Sequence, residues 1–288
     1  MTDVYHSRTQ PTWELGERHD PVVWGELDGP LSAEQMANFD GDGFVVLENL
    51  FAVDEIAGFR AEADRLASEV EPAVRKDVIT EPDSDVVRSI FRVHRDNLMF
   101  KSLAADPRLS GAARQILGSD VYVHQSRINF KPGFDGREFY WHSDFETWHI
   151  EDGMPRMRAL SASILLTDNS LVNGPLMLVP GSHRSYVRCV GETPEDHYQQ
   201  SLKAQNYGVP SQEALSKLVS DGGITQAVGA AGSVVLFDCN VIHGSAGNLS
   251  PYARHNIFLC YNSVANRLVE PFGGLKPRPD FLGEREPR

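Results

Sequence analysis

Cysteine is scarce in this chain, with three among 288 residues. Cys189, Cys239 and Cys260 stand apart with no CxxC spacing, so neither a disulfide framework nor a cysteine zinc site is expected. Positive charge is also short: 27 Lys and Arg face 40 Asp and Glu, for a net charge of −13. Nucleic acid and anionic membranes both need a basic face that displaces counterions, so neither is expected as a partner. Long apolar runs are missing, none approaching the roughly 18 to 20 residues of a spanning helix. The opening MTDVYHSRTQ lacks the basic stretch and apolar core of a secretory leader, and the chain is expected in the cytoplasm. Internal repeats and low-complexity tracts are absent too.

What is present suffices for a sizeable core. The chain is 41% apolar and reads as one domain spanning 1–288. Residues 1–30, rich in Pro, Gly and charge, read as an arm lying over a larger body. Residues 31–120 read as a helix-rich flank. Ser32 with Gln35 forms a capping-box pattern for a first helix that stops near Gly41 to Gly43, and Phe44–Leu47 reads as a strand. Ile56, Phe59, Ala63, Leu66 and Val70 recur at helical spacing over about 54–70, with Asp54 as N-cap. Asp106-Pro107 opens a third helix that Gly118 closes.

From Val121 the apolar period switches to two. Strands are expected at about 121–131, 138–145, 159–167, 175–179, 233–238 and 254–263, separated by turns such as PGFDG and PGSH. Short strands in that number, behind early helices, give a mainly β protein with flanking helices (α+β), its core at 121–288 a sandwich or jelly roll. The polar stretch 185–230, with a helix at about 211–220, reads as an insertion beside the mouth of the barrel, a candidate lid.

The chemistry concentrates in Phe139–Pro155, FYWHSDFETWHIEDGMP. On a strand, residues two apart project the same way, so His142 and Asp144 can grip one cation. His243, after the apolar run Ser233–Phe237, completes a set of two histidines and one carboxylate, the pattern of a non-haem Fe(II) oxygenase. His149 and Glu151 repeat the same spacing and are a rival pair. Arg254, at the head of the last strand, suits the far carboxylate of a dicarboxylic co-substrate, because a guanidinium grips a carboxylate through two parallel hydrogen bonds. In 121–131, Gln125, Arg127, Asn129 and Lys131 share one parity; Tyr122, His124, Ser126, Ile128 and Phe130 share the other. The polar set faces either solvent or a ligand-filled interior, and parity alone leaves both open. Asn173-Gly-Pro-Leu176 and Pro180-Gly-Ser-His183 read locally as turns.

The order of these elements, HxD, NGPL, PGSH, His243 with Gly244-Ser245, then Arg254, resembles the phytanoyl-CoA dioxygenase superfamily of Fe(II)/2-oxoglutarate enzymes. Within it, Phe139–Pro155 matches the signature of the ectoine hydroxylases, and the resemblance extends over nearly the whole chain. It implies a double-stranded β-helix (jelly roll, cupin-like) core, with His142, Asp144 and His243 as iron ligands. It places Lys131 on 2-oxoglutarate, Arg254 and Ser245 on its far carboxylate, and Gln125, Trp148, Thr147 and Ser163 at the substrate. The implied reaction uses Fe(II), 2-oxoglutarate and O2 to convert ectoine to 5-hydroxyectoine, releasing succinate and CO2, in a homodimer. An oxygenase for another small polar substrate is the alternative within the superfamily. A zinc hydrolase or a sugar-binding jelly roll is the alternative outside it.

Overall fold

The computed structural model describes residues 3–286 apart from 26, 27, 73, 83, 197 and 204–206. The strands in chain order begin with β1 (Glu14–Glu17), β2 (Phe44–Leu47), β3 (Val78–Thr80), β4 (Val87–Phe91), β5 (Val121–Lys131) and β6 (Phe139–His142). They continue with β7 (Ala159–Leu165), β8 (Leu176–Leu178), β9 (Ser185–Arg188), β10 (Thr225–Ala227), β11 (Val234–Asp238), β12 (His243–Ser245) and β13 (Arg254–Ser263). Seven form an antiparallel sheet in the order β2-β11-β7-β13-β5-β4-β3, and four form a facing sheet in the order β10-β8-β12-β6. Two sheets closing on a shared interior after a block of helices make the expected α+β jelly roll.

Five helices precede β5: α1 (Ala33–Asp42), α2 (Val53–Glu69), α3 (Val93–Asp96), α4 (Leu98–Ala105) and α5 (Pro107–Leu117). Ser32 and Gln35 make the expected reciprocal capping box, and Gly43 ends α1 in the left-handed region at φ 84°. Asp106 caps α5 ahead of Pro107, and Gly118 closes it at φ 59°. For α2 the cap differs from expectation. Ala52, not Asp54, is the N-cap, and its backbone N–H is satisfied by the Glu55 carboxylate at 2.8 Å.

Strand alternation determines what each face of the large sheet meets. Leu160, Ala162 and Ile164 of β7, Ile257, Leu259 and Tyr261 of β13, and Ile128 and Phe130 of β5 pack with Phe100, Leu109 and Ile116 of the helices in one buried cluster. Truncating such a residue to alanine costs about 2–5 kcal/mol. The opposite parity points into the barrel. There Phe44, Leu165, Val235, Phe237 and Phe258 meet Leu176 and Leu178 of the small sheet. Toward the other end of the barrel that inner face turns polar, and the question left by the parity of β5 is answered: Arg127, Asn129 and Lys131 line an interior cleft.

Two further expectations need correction. The strand expected at 138–145 stops at His142; Ser143 caps a helical turn, α6 (Asp144–Thr147), which runs on as a π-helix, Trp148–Asp152. Gly153 ends it at φ 81°, where an added Cβ would collide with the Val269 carbonyl. The stretch 185–230 is not simply inserted: it supplies β9, which pairs with β1, and β10, the edge of the small sheet, besides the expected helix, here α8 (Gln212–Gly222) after α7 (Tyr198–Ser201). Residues of the N-terminal arm lie against the body, with Tyr5, Ser7 and Arg8 buried. Among the described residues no helix is long and apolar enough to cross a membrane.

Candidate active site

β6 and β12 pair antiparallel with His142 directly opposite His243, so sheet register alone brings two imidazoles together, with ring centroids 4.2 Å apart. The third group arrives by the turn after β6: with Ser143 as cap, Asp144 becomes the first residue of α6. Asp144 Oδ1 lies 3.7 Å from His142 Nε2 and 3.8 Å from His243 Nε2. Each histidine is oriented from behind. Nδ1–H of His142 donates to the Tyr140 carbonyl at 2.8 Å and that of His243 to the Val241 carbonyl at 3.0 Å, which leaves both Nε2 lone pairs for the centre. Ser161 Oγ donates to Asp144 Oδ2 at 3.1 Å and holds the carboxylate with Oδ1 inward.

Burial, reinforced by His243, pushes the His142 pKa down to about 3, so the ring is a neutral donor. Two imidazoles and an aspartate, all buried and with donor atoms within 4.8 Å of one another, are the one such cluster among the described residues. The histidines border a cleft, so the donors occupy one side and leave the other open. The set fits Fe(II) in a site that keeps positions for exchangeable ligands.

The cleft is strongly basic, with Arg88, Arg127, Lys131 and Arg254 on its walls. Arg254 is the cross-strand partner of Lys131. Lys131 Nζ donates to Ser245 Oγ at 2.8 Å and to the Ala246 carbonyl. Arg254 Nη2 donates to Asn129 Oδ1 at 3.0 Å, while its buried Nε has no hydrogen-bond partner. Neither cation is ion-paired with a carboxylate among the described residues, and both feel it. Burial, then Arg254 and Arg88, pushes Lys131 down to about 6; burial, then Arg88 and Arg127, pushes Arg254 down to about 10. Arg88, by contrast, is matched by Glu81 at 2.6 Å. A buried pocket with excess positive charge and an unused guanidinium N–H is shaped for an anion.

The structure thus brings His142, Asp144, His243, Lys131, Ser245 and Arg254 together, and leaves the four expected substrate contacts off the wall of this cleft. Gln125 donates to the Leu282 carbonyl at 2.7 Å and accepts from Arg127 at 2.9 Å. Ser163 accepts from Asn256 at 3.0 Å. Trp148 is 3% exposed and packs edge-on against His124, centroids 4.9 Å apart. Thr147 Oγ1 is buried with no hydrogen-bond partner. Residues missed as site elements include Asn129 and Arg127, which share the parity of Lys131, and Ser161, for which the sequence held no signal.

This geometry has close relatives. The phytanoyl-CoA dioxygenase (PhyH) family model matches residues 39–256. An ectoine dioxygenase from Stutzerimonas stutzeri is 58% identical over 290 residues, covering 99% of this chain and 95% of that protein. The chain belongs to the ectoine dioxygenases of the phytanoyl-CoA dioxygenase family. The family member from Halomonas elongata is 53% identical, with 97% of this chain and 85% of that protein covered. Crystal structures of EctD from S. alaskensis superpose closely: the one with 2-oxoglutarate and 5-hydroxyectoine at TM-score 0.90 and 50% identity, covering 100% of this chain and 96% of that one. The one with bound Fe gives 0.88 and 49%, covering 99% and 95%. The carbocyclase SnoK, 20% identical at TM-score 0.62, with 81% and 84% covered, shares the fold.

The signature of these dioxygenases has a second half, downstream of Asp144. His149 and Glu151, the rival pair, lie on the π-helix and are engaged elsewhere. His149 Nδ1–H donates to the Met154 carbonyl at 2.7 Å, Nε2 lies 3.0 Å from Asp3, and the ring stacks on Phe272 at 3.9 Å. Glu151 pairs with Arg8 at 2.7 Å, and Asp152 with Arg278 at 2.7 Å.

Proposed function

We propose that this chain hydroxylates ectoine to 5-hydroxyectoine, consuming 2-oxoglutarate and O2 and releasing succinate and CO2. The observation that carries the reading is the His142, Asp144, His243 triad opening onto a cleft whose far wall holds Arg254 without a counter-charge among the described residues. Iron, when bound, supplies the coupled chemistry of decarboxylating a 2-oxo acid and placing one oxygen atom on a C–H bond. The protein supplies placement. His142, Asp144 and His243 hold the ion on one side; Arg254 and Ser245, with Lys131, take the far carboxylate of 2-oxoglutarate and fix its orientation. Arg127, likewise without an ion-pair partner among the described residues, has the charge to hold the carboxylate of ectoine. Gln125 aligns Arg127, while Thr147, Trp148 and Ser163 shape the ectoine side from behind. Apolar Leu176, Phe139 and Phe258 on the same walls limit water. We read the chain as one catalytic domain acting as a cytoplasmic homodimer in compatible-solute metabolism under osmotic or heat stress.

The test is mass spectrometry of protein incubated anaerobically with Fe(II), 2-oxoglutarate and ectoine and then exposed to 18O2. Labelled hydroxyectoine with matching succinate is expected. Succinate without labelled product would keep the oxygenase chemistry and refute the substrate.

A further inference from the structure

The acids of Phe139–Pro155 downstream of Asp144 have no part in the chemistry above, yet they are among the most deeply buried charges in the protein: Glu146 is 1% exposed, Glu151 5% and Asp152 1%. Their partners come from the two ends of the chain. Arg8 donates to both oxygens of Glu146, Nε to Oε1 at 3.0 Å and Nη2 to Oε2 at 2.6 Å. Its Nη1 donates to Glu151 Oε1 at 2.7 Å and to Thr193 Oγ1 at 2.6 Å. Ser7 adds a hydrogen bond to Glu146 Oε1 at 2.6 Å. From the other end, Arg278 forks onto Asp152 at 2.8 and 2.7 Å, and Arg285 donates to the Asp152 carbonyl at 2.9 Å. Residues 8, 278 and 285 all lie outside the family-wide match at 39–256.

Two details mark the Arg8 contact as selected by position. Its backbone sits in the left-handed region at φ 57°, unfavourable for a side chain with a Cβ and tolerated only where the surroundings enforce it. Gly208 lies against the ion pair, so that a Cβ there would fall 2.2 Å from Glu146 Oε2 and 2.3 Å from Arg8 Nη2. The pair is sealed from water. It is also coupled to the metal turn: the backbone N–H of Glu146 donates to Ser143 Oγ at 3.4 Å, and Ser143 separates His142 from Asp144 in the chain.

We infer that Arg8 is a positioning residue for the metal site, holding the Asp144 turn through Glu146 and Glu151, and that the two terminal segments form a clamp on the signature helix that the family-wide core lacks. This rests on the metal reading of the triad. Removing Arg8 takes the shared cation from both acids, and although Arg278 still lies 3.7 Å from Glu151, the helix must shift to rehydrate Glu146, carrying Asp144 with it. Lysine keeps the charge but has no planar fork to bridge both acids.

The experiment is anaerobic equilibrium dialysis of Fe(II) at low temperature, with circular dichroism confirming the fold. It compares the wild type, Arg8→Ala, Arg8→Lys and Leu109→Ala, the last a destabilised control in the helix layer. Arg8→Ala should lose about ten- to a hundredfold in Fe(II) affinity, the range for groups that orient metal ligands, and Arg8→Lys about three- to tenfold. Leu109→Ala should bind as the wild type does. Turnover at saturating Fe(II) should show a raised KM for ectoine in both Arg8 variants. Should Arg8→Ala fail to fold, Arg8→Lys decides alone. Wild-type Fe(II) affinity in a folded Arg8→Lys, or an equal loss in Leu109→Ala, overturns the clamp. A wild type that takes up no Fe(II) overturns the metal reading first, and the clamp with it.

Discussion

Arg8 and Arg254 are both guanidinium groups withdrawn from solvent, 6% and 3% exposed, and they are held there on opposite terms. For Arg8, burial alone would lower the pKa, but Glu146 and then Glu151 overrule it and hold the group above its usual range. Arg254 has no such partner among the described residues, and burial together with Arg88 and Arg127 pulls it down to about 10. The first site is closed and complete. The second carries a charge whose desolvation is uncompensated until an anion arrives. Pairing thus separates arginines that hold the fold from arginines that wait for a ligand, a distinction that burial alone would miss.

The largest effect should come from the centre both regions serve. Asp144→Ala and His142→Ala should each abolish iron retention and turnover together, read from metal content after anaerobic reconstitution and from succinate formation; full activity in either would refute the ligand set. Next in size is the contrast itself. Arg8→Met should destabilise the apo protein by about 3–5 kcal/mol, because it leaves the buried Glu146 carboxylate without its guanidinium, whereas Arg254→Met should leave stability within about 1 kcal/mol of the wild type or raise it. Denaturant melts of the two side by side would erase the comparison if both fell equally.

Function should reverse that ranking. Arg254→Met should raise the KM for 2-oxoglutarate about a hundredfold, the scale of two charge-assisted hydrogen bonds, with the KM for ectoine changed far less. Equal shifts would make Arg254 structural. The smallest effect concerns Lys131, which burial, then Arg254 and Arg88, pushes down to about 6 against the opposing pull of Glu81 and Glu138. An arriving carboxylate favours its charged form, so binding of 2-oxoglutarate at pH 8 should take up about one proton or less, and affinity should fall as pH rises from about 6 toward the usual lysine value. Between those limits the unfolded chain holds a proton that the folded apo protein has lost, so this group's contribution to apo stability rises with pH. Calorimetry in buffers of different ionisation enthalpy reads the uptake, and Lys131→Met should remove it.

The jelly roll and the triad were legible in the sequence, the first because period-two strands behind capped helices are a local pattern, the second because the motif order identifies the family. The route to Asp144 was misread as a continuing strand. Ser143 before Asp-Phe-Glu-Thr and Gly153 after Asp152 are ordinary helix boundaries, but a strand through 145 would place the same two ligands on one face equally well. The parity of β5 shows two unlike faces without showing which faces inward, since Ile128 and Phe130 on the other face are buried as well, against the helix layer. The Arg8 contacts were invisible: Arg8 and Glu146 are 138 positions apart, and nothing local in an arm rich in Pro, Gly and charge announces a partner at that distance.

The pairing of His142 with His243 across β6 and β12 also bears on how the chain reaches its native state. The strands meet only after a loop of about a hundred residues has closed, a non-local step that is entropically late in folding. An ion held by both histidines would staple that loop, binding the native chain and not the unfolded one, so that the melting temperature should climb with free Fe(II). Iron supply would then govern how long each molecule survives as well as how fast it works.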